Sequence, residues 1–162
     1  MSHRNSFYLI LVIVGMLSIN LARAEESTQN VSISNAWVRA LPPSQKTTAG
    51  LLTIENKTEK EIILQSVTST AAEVVEIHKM KHADGMMKME KADNVAIPAG
   101  GLIDFESSGY HLMLINLINP LKEGDVVPLI LNFQDGSQIE VSAVVKQNNE
   151  KQDEMEHMHH HH

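Results

Sequence analysis

Residues 109–114 read Gly-Tyr-His-Leu-Met-Leu, and whether this stretch is strand or helix decides the fold. Side chains alternate faces along a strand, so residues two apart share one. As a strand, the segment puts His111 and Met113 on one face and sends Leu112 and Leu114 into a core on the other. On a helix the same two ligand-type residues would diverge by about 200°. The strand is the reading that lets an imidazole and a thioether converge. Tyr110 then shares the leucine side and is expected to pack rather than bind.

A second segment, IHKMKHADGMMKME at residues 77–90, reads as a hairpin. Val75 and Ile77 alternate with His78 and Met80, and Asp84-Gly85 supplies the turn before the chain returns through Met86 to Glu90. With those two residues as the turn, Met80 faces Met89 and His78 lies diagonally from Met89. His82 and Met87 fall on the same face. A loop one residue longer or shorter would change this register.

Methionine and histidine are concentrated in these two segments. Past residue 24, methionine occurs only as Met80, Met86, Met87, Met89 and Met113 and in the last eight residues, and no Met or His lies between Glu25 and Ile77. Methionine also serves as a flexible core filler, but a core would scatter it. Thioether sulfur is a soft ligand with no proton to lose and imidazole is borderline, so together they favour Cu(I) over zinc, calcium or magnesium. His111 and Met113 are the first candidates, followed by Met89 and His78. Met80, His82 and Met87 are possible additional ligands, Met80 being the nearest substitute for His78.

Counting from His78 gives ten residues, Met89, twenty-one residues, His111, one residue and Met113. This H-x10-M-x21-H-x-M spacing resembles the signature of the PCuAC family of periplasmic copper chaperones. NAWVRALPP, LTIEN, IPAGG and GYHLML resemble the same family, and the resemblance runs from Val31 to Val145. It implies a cupredoxin-like β-barrel that holds Cu(I) through His78, Met89, His111 and Met113. It also implies transfer to an acceptor, the CuA subunit of cytochrome c oxidase or a thiol copper-delivery protein.

The rest of the chain is consistent with one domain. Residues 1–24 combine Arg4, an apolar run from Phe7 to Leu17 and Ala22-Arg23-Ala24, the pattern of a cleaved signal peptide. A Gram-negative periplasm is the expected location. With no cysteine after the leader, a lipid anchor is not expected, nor is stable membrane insertion once the leader is removed. Residues 25–30 are polar and read as a flexible terminus. Between residues 31 and 146, nine apolar runs are broken by turn residues: about 31–39, 48–55, 60–67, 73–80, 86–92, 101–106, 111–118, 126–134 and 138–146. They predict an all-β, cupredoxin-like Greek-key barrel or sandwich of eight or nine antiparallel strands. Asp135-Gly136 marks a hairpin, Trp37 is expected in the core, and the charged residues of TIENKTEKE are expected in a solvated loop.

Charge and composition exclude several functions. The chain carries 13 Lys and Arg against 20 Asp and Glu, a net charge of −7. Losing residues 1–24 removes Arg4 and Arg23 alone, which leaves 11 basic against 20 acidic residues and a charge of −9. Such a surface does not attract nucleic acid. The absence of cysteine excludes a thiolate zinc site and a Cys-containing blue-copper centre. No nucleophile elbow, zincin helix or phosphate-binding glycine loop is present, so an enzyme is not expected.

Residues 147–162, QNNEKQDEMEHMHHHH, have little to bury and are expected to be disordered. Met155, His157, Met158, His159, His160, His161 and His162 form a second ligand cluster. Four terminal histidines after Met-Glu-His-Met read as a native extension rather than a tag, and their imidazoles suit Cu(II). The expectation is a monomeric copper chaperone. Copper storage or tolerance, and a β-sandwich interaction module without metal, are the alternatives.

Overall fold

The computed structural model describes residues 30–83 and 85–147. The proposed signal peptide, residues 25–29, Asp84 and the His/Met cluster from Met155 to His162 lie outside them. The strands are β1 (Val31–Arg39), β2 (Thr47–Asn56), β3 (Ile62–Thr68), β4 (Ala72–Ala83), β5 (Met86–Lys91), β6 (Val95–Ile97), β7 (Leu102–Phe105), β8 (Tyr110–Leu117), β9 (Val126–Phe133) and β10 (Gln138–Lys146). No helix occurs among the described residues. They form one sheet in the order β5-β4-β8-β7-β2-β1-β10-β9-β3-β6, open between its two end strands. The sheet curls on itself, because every strand except β5 contributes to one shared hydrophobic core.

The expected all-β, cupredoxin-like architecture holds, with two differences. There are ten strands, because Val95–Ile97 pairs with β3; three residues are too few for alternation to show in a sequence. The pairing is also not wholly antiparallel. β1 runs parallel to β10 through Trp37↔Val144, Val38↔Val145 and Arg39↔Lys146, and β7 meets β8 in parallel at Phe105↔Tyr110. β7 and β8 touch at that one pair only, across a four-residue turn, whereas parallel strands that pair along their length need a long crossover. For β1 and β10 the crossover is nearly the whole domain, which no local pattern reveals.

Trp37 is another departure. It is only partly buried and lies outside the core cluster. The β1–β2 register shifts between Ser34 and Trp37, with Asn35 at φ 52°. After that bulge the inward position belongs to Val38, which is 0% exposed, so its neighbour Trp37 points the other way.

β2 joins the two halves of the sheet on one edge. Its first residues pair with β8, as in Ala49↔Met113 and Gly50↔Leu112, and its later ones pair with β7, as in Ile54↔Ile103. Gly50 leaves room at the junction: a Cβ there would sit 3.2 Å from Leu114 Cδ1, so the leucine would have to shift. Asp135-Gly136 forms the expected β9–β10 turn: Gly136 has φ 85°, and Asp135 Oδ1 accepts from the Ser137 backbone N–H at 2.9 Å.

The charged residues after β2 are solvated as expected, but Asn56 itself is fully buried. Its Nδ2 donates to the carbonyls of Lys60, Ile97 and Pro98 at 2.8, 3.1 and 2.9 Å. Its Oδ1 accepts from the Thr58 backbone N–H and hydroxyl at 3.0 and 2.7 Å. One amide thus ties the end of β2 to the end of β6. Asn56→Ala strands several buried carbonyls and is expected to cost about 2–4 kcal/mol. In urea this appears as a lower unfolding midpoint with an unchanged slope.

Candidate metal centre

β4 lies between β5 and β8, and this order builds the site. Across β4 and β5, Met80 pairs with Met89, His82 with Met87 and His78 with Lys91. Met89 therefore lies diagonally from His78, as the hairpin register predicts, and Gly85 turns the chain at φ 75°. Across β4 and β8, His78 pairs with His111 and Glu76 with Met113. Ile77, Leu112 and Leu114 face the core at 4%, 0% and 0% exposure. Alternation then puts His78, Met89, His111 and Met113 on the opposite face together. Tyr110, on the leucine side, packs on the core and lies 5.8 Å from the Phe105 ring centroid.

A cleft of about 370 Å³ opens over this face. Met80, Met89, His111 and Met113 line it, walled by Arg39, Leu41 and Ser107. His78 is not on the lining; its ring centroid lies 6.0 Å from that of His111, tilted by 58°. Two metal–imidazole bonds of about 2 Å each span such a gap. Met80 therefore shares the cleft in the position the sequence kept for it. His82 and Met87 are exposed, one step farther along the hairpin. Two larger clefts lie elsewhere, at Ile62, Ile63 and Phe133 and at Pro42, Pro43 and Leu121. Neither contains a methionine or histidine.

The ligand candidates differ in burial. His111 is 4% exposed and Met89 51%. The His111 Nδ1–H faces the Gly109 carbonyl at 3.3 Å. Burial lowers the His111 pKa below the ordinary histidine value; the Gly109 carbonyl opposes that, and the positive charge of His78 and Arg39 adds to it. His78 Nε2 lies 2.9 Å from Glu76 Oε2, and Lys91 Nζ lies 2.7 Å from Glu76 Oε1. The hydrogen bond from Lys91, then that from His78, holds the Glu76 carboxyl below the usual range. Glu76 in turn raises the Lys91 pKa. His78 Nδ1 and Arg39 Nε are buried without a partner.

Among the described residues, no three His, Cys, Asp or Glu side chains converge on one point. A metal held here must use thioether sulfur, and that selects a soft ion.

Three contributors were not singled out from the sequence. Arg39 walls the cleft, and its Nη2 donates to Ser107 Oγ at 3.3 Å. The buried Thr48 hydroxyl fixes the Arg39 carbonyl at 2.7 Å. Glu76 could have been found, because two residues before His78 on a strand is the same face; Arg39 reaches the cleft through a contact with the distant turn residue Ser107, and Thr48 acts through Arg39.

The family model of LpqE-like lipoproteins matches residues 31–145. The chain belongs to the LpqE-like family. A relative bearing a lipoprotein name, Lxx21020 of Leifsonia xyli subsp. xyli, is 31% identical over 122 residues, covering 75% of this chain and 72% of its own. Among solved structures, the solution structure of CuI-DR1885 from Deinococcus radiodurans is 32% identical with a TM-score of 0.62, over 80% of this chain and 88% of that one. The copper-bound PCuAC domain from PmoF2 has a TM-score of 0.61 over 74% of this chain and 94% of its own. At 17% identity that likeness is one of fold. This LpqE-like chain thus has the architecture of PCuAC domains. The lipoprotein name belongs to the relatives, and this sequence contains no cysteine.

The depressed His111 pKa has a defined consequence. As pH falls, the unfolded chain takes up this proton first, so the His111 contribution to stability is full above the unfolded value of about 6.5 and is lost as pH falls through the folded value. An NMR titration of the His111 ring is expected to give a midpoint below that of an exposed histidine. A midpoint at or above 6.5 would contradict the burial argument.

Proposed function

We propose that this protein is a copper-binding chaperone of the cell envelope that holds Cu(I) through Met89, His111 and Met113 with His78, Met80 being able to share the ion. The observation that carries this reading is the meeting of soft side chains from three strands on one face, lining a cleft, with no cluster of three hard ligands among the described residues. Support comes from DR1885, whose structure is named as the CuI form, and from the copper-bound PCuAC domain. The leader pattern and the lipoprotein name of the relatives favour an envelope location, which we assign to the periplasm. The reading is non-enzymatic: the site binds and releases.

Ligation by neutral donors leaves the ion without a thiolate charge to hold it, so an acceptor can exchange ligands with it more readily than with a cysteine site. The acceptor implied by the family resemblance is the CuA centre of cytochrome c oxidase or a thiol copper-delivery protein. The His/Met cluster from Met155 to His162 is assigned to Cu(II). Deleting residues 150–162 is expected to remove Cu(II) uptake and leave the Cu(I) site intact, measured by titration with each ion.

Cu(I) titration of the protein lacking residues 1–24, against a competing chelator, tests the domain site. One Cu(I) ion per chain is expected. Met89→Ala, His111→Ala and the bulk-preserving Met113→Leu should each weaken it at least about tenfold. All three residues lie on the face away from the core leucines, so urea unfolding can report separately on the fold. If Cu(I) stoichiometry and affinity survive His111→Ala with Met113→Leu, the assignment is wrong.

A further inference from the structure

We propose that Glu76 is a positioning residue of the copper site, holding the His78 ring so that Nδ1 faces the metal, while His111 offers Nε2. The inference rests on the copper reading above and assigns which nitrogen of each ring binds.

A neutral imidazole has one N–H donor and one acceptor nitrogen, and an ionised carboxylate can only accept. The 2.9 Å contact between His78 Nε2 and Glu76 Oε2 therefore puts the His78 proton on Nε2. The lone pair is left on Nδ1, which is buried and has no partner in the protein. Buried acceptors without partners are uncommon. One on the same face as Met89, 6.0 Å between ring centroids from His111, marks a ligand position.

Glu76 is itself fixed. Its second oxygen is 2.7 Å from Lys91 Nζ, and Lys91 is the residue opposite His78 on β5. The ion pair occupies the oxygen that could otherwise turn toward the metal, and it anchors the carboxylate to the strand that carries Met89. Lys91, Glu76 and His78 thus form a chain in which each group orients the next, as outer partners do for metal-bound histidines.

His111 is arranged the other way. Its Nδ1 lies 3.3 Å from the Gly109 carbonyl, an acceptor only, so Nδ1 carries the proton and Nε2 the lone pair. The two rings, paired across β4 and β8, present opposite nitrogens.

Long-range 1H–15N spectra of the metal-free protein lacking residues 1–24, at about pH 7.5 where an ordinary histidine is neutral, assign each tautomer directly. The expected result is a proton on Nε2 of His78 and on Nδ1 of His111. Cu(I) is diamagnetic, so the same spectra after loading should show Nδ1 of His78 and Nε2 of His111 as the nitrogens that shift. Glu76→Ala should weaken Cu(I) about 10–100-fold in chelator competition. Glu76→Gln, which keeps an acceptor oxygen, should recover most of the loss. Protonation of His78 at Nδ1, a copper-induced shift at its Nε2, or Glu76→Ala affinity within twofold of the parent would overturn the proposal. Should Glu76→Ala fail to fold, the parent's spectra alone decide it. A parent that takes up no Cu(I) would instead overturn the copper reading, and this assignment with it.

Discussion

The packing of Leu112 and Leu114 is the constraint on which the structure depends. Both are fully buried, and β8 has partners on both sides, β4 on one and β2 with β7 on the other. Because side chains alternate strictly, this burial also fixes where His111 and Met113 stand. A slip of one residue would put the imidazole in the core and a leucine over the cleft. Gly50, opposite Leu112 on β2, has no side chain to compete for the space these leucines fill. Stability and ligand placement are therefore set by the same register.

The site built on that register has a rigid side and an open side. His111 is buried, its Nδ1 faces a backbone carbonyl, and its ring meets His78, which Glu76 and Lys91 orient. Met89 is half exposed on a strand with no buried residue. An ion placed between them would have a buried ligand on one side and an exposed one on the other, an asymmetry that suits the proposed transfer role. Burial also keeps His111 neutral to lower pH, so protons compete less for its lone pair.

What the sequence made legible was local. A period of two placed His111 with Met113, and a two-residue turn placed Met80 opposite Met89 and brought His82 to Met87. Those relations need only spacing along one strand or hairpin. The pairing of His78 with His111 needed β4 to lie beside β8, and only the family resemblance hinted at that. β6 was too short to show a pattern. The parallel contact of β1 with β10 joins residues more than a hundred positions apart. The β1 bulge turned Trp37 outward, and Asn35, a residue type that tolerates positive φ, was the one local hint of such a shift. The roles of Arg39 and Asn56 were not legible, because their partners, Ser107 and the Ile97 and Pro98 carbonyls, come from elsewhere in the chain.

β5 contributes no side chain to the core, although it carries Met86, Met87 and Met89 at 61%, 47% and 51% exposure. Exposed thioethers are prone to sulfoxide formation. Damage to Met89 would weaken the proposed copper site while leaving the folded domain intact. The lesion would also be within reach of a methionine sulfoxide reductase, so the molecule could be repaired in place instead of being unfolded and degraded.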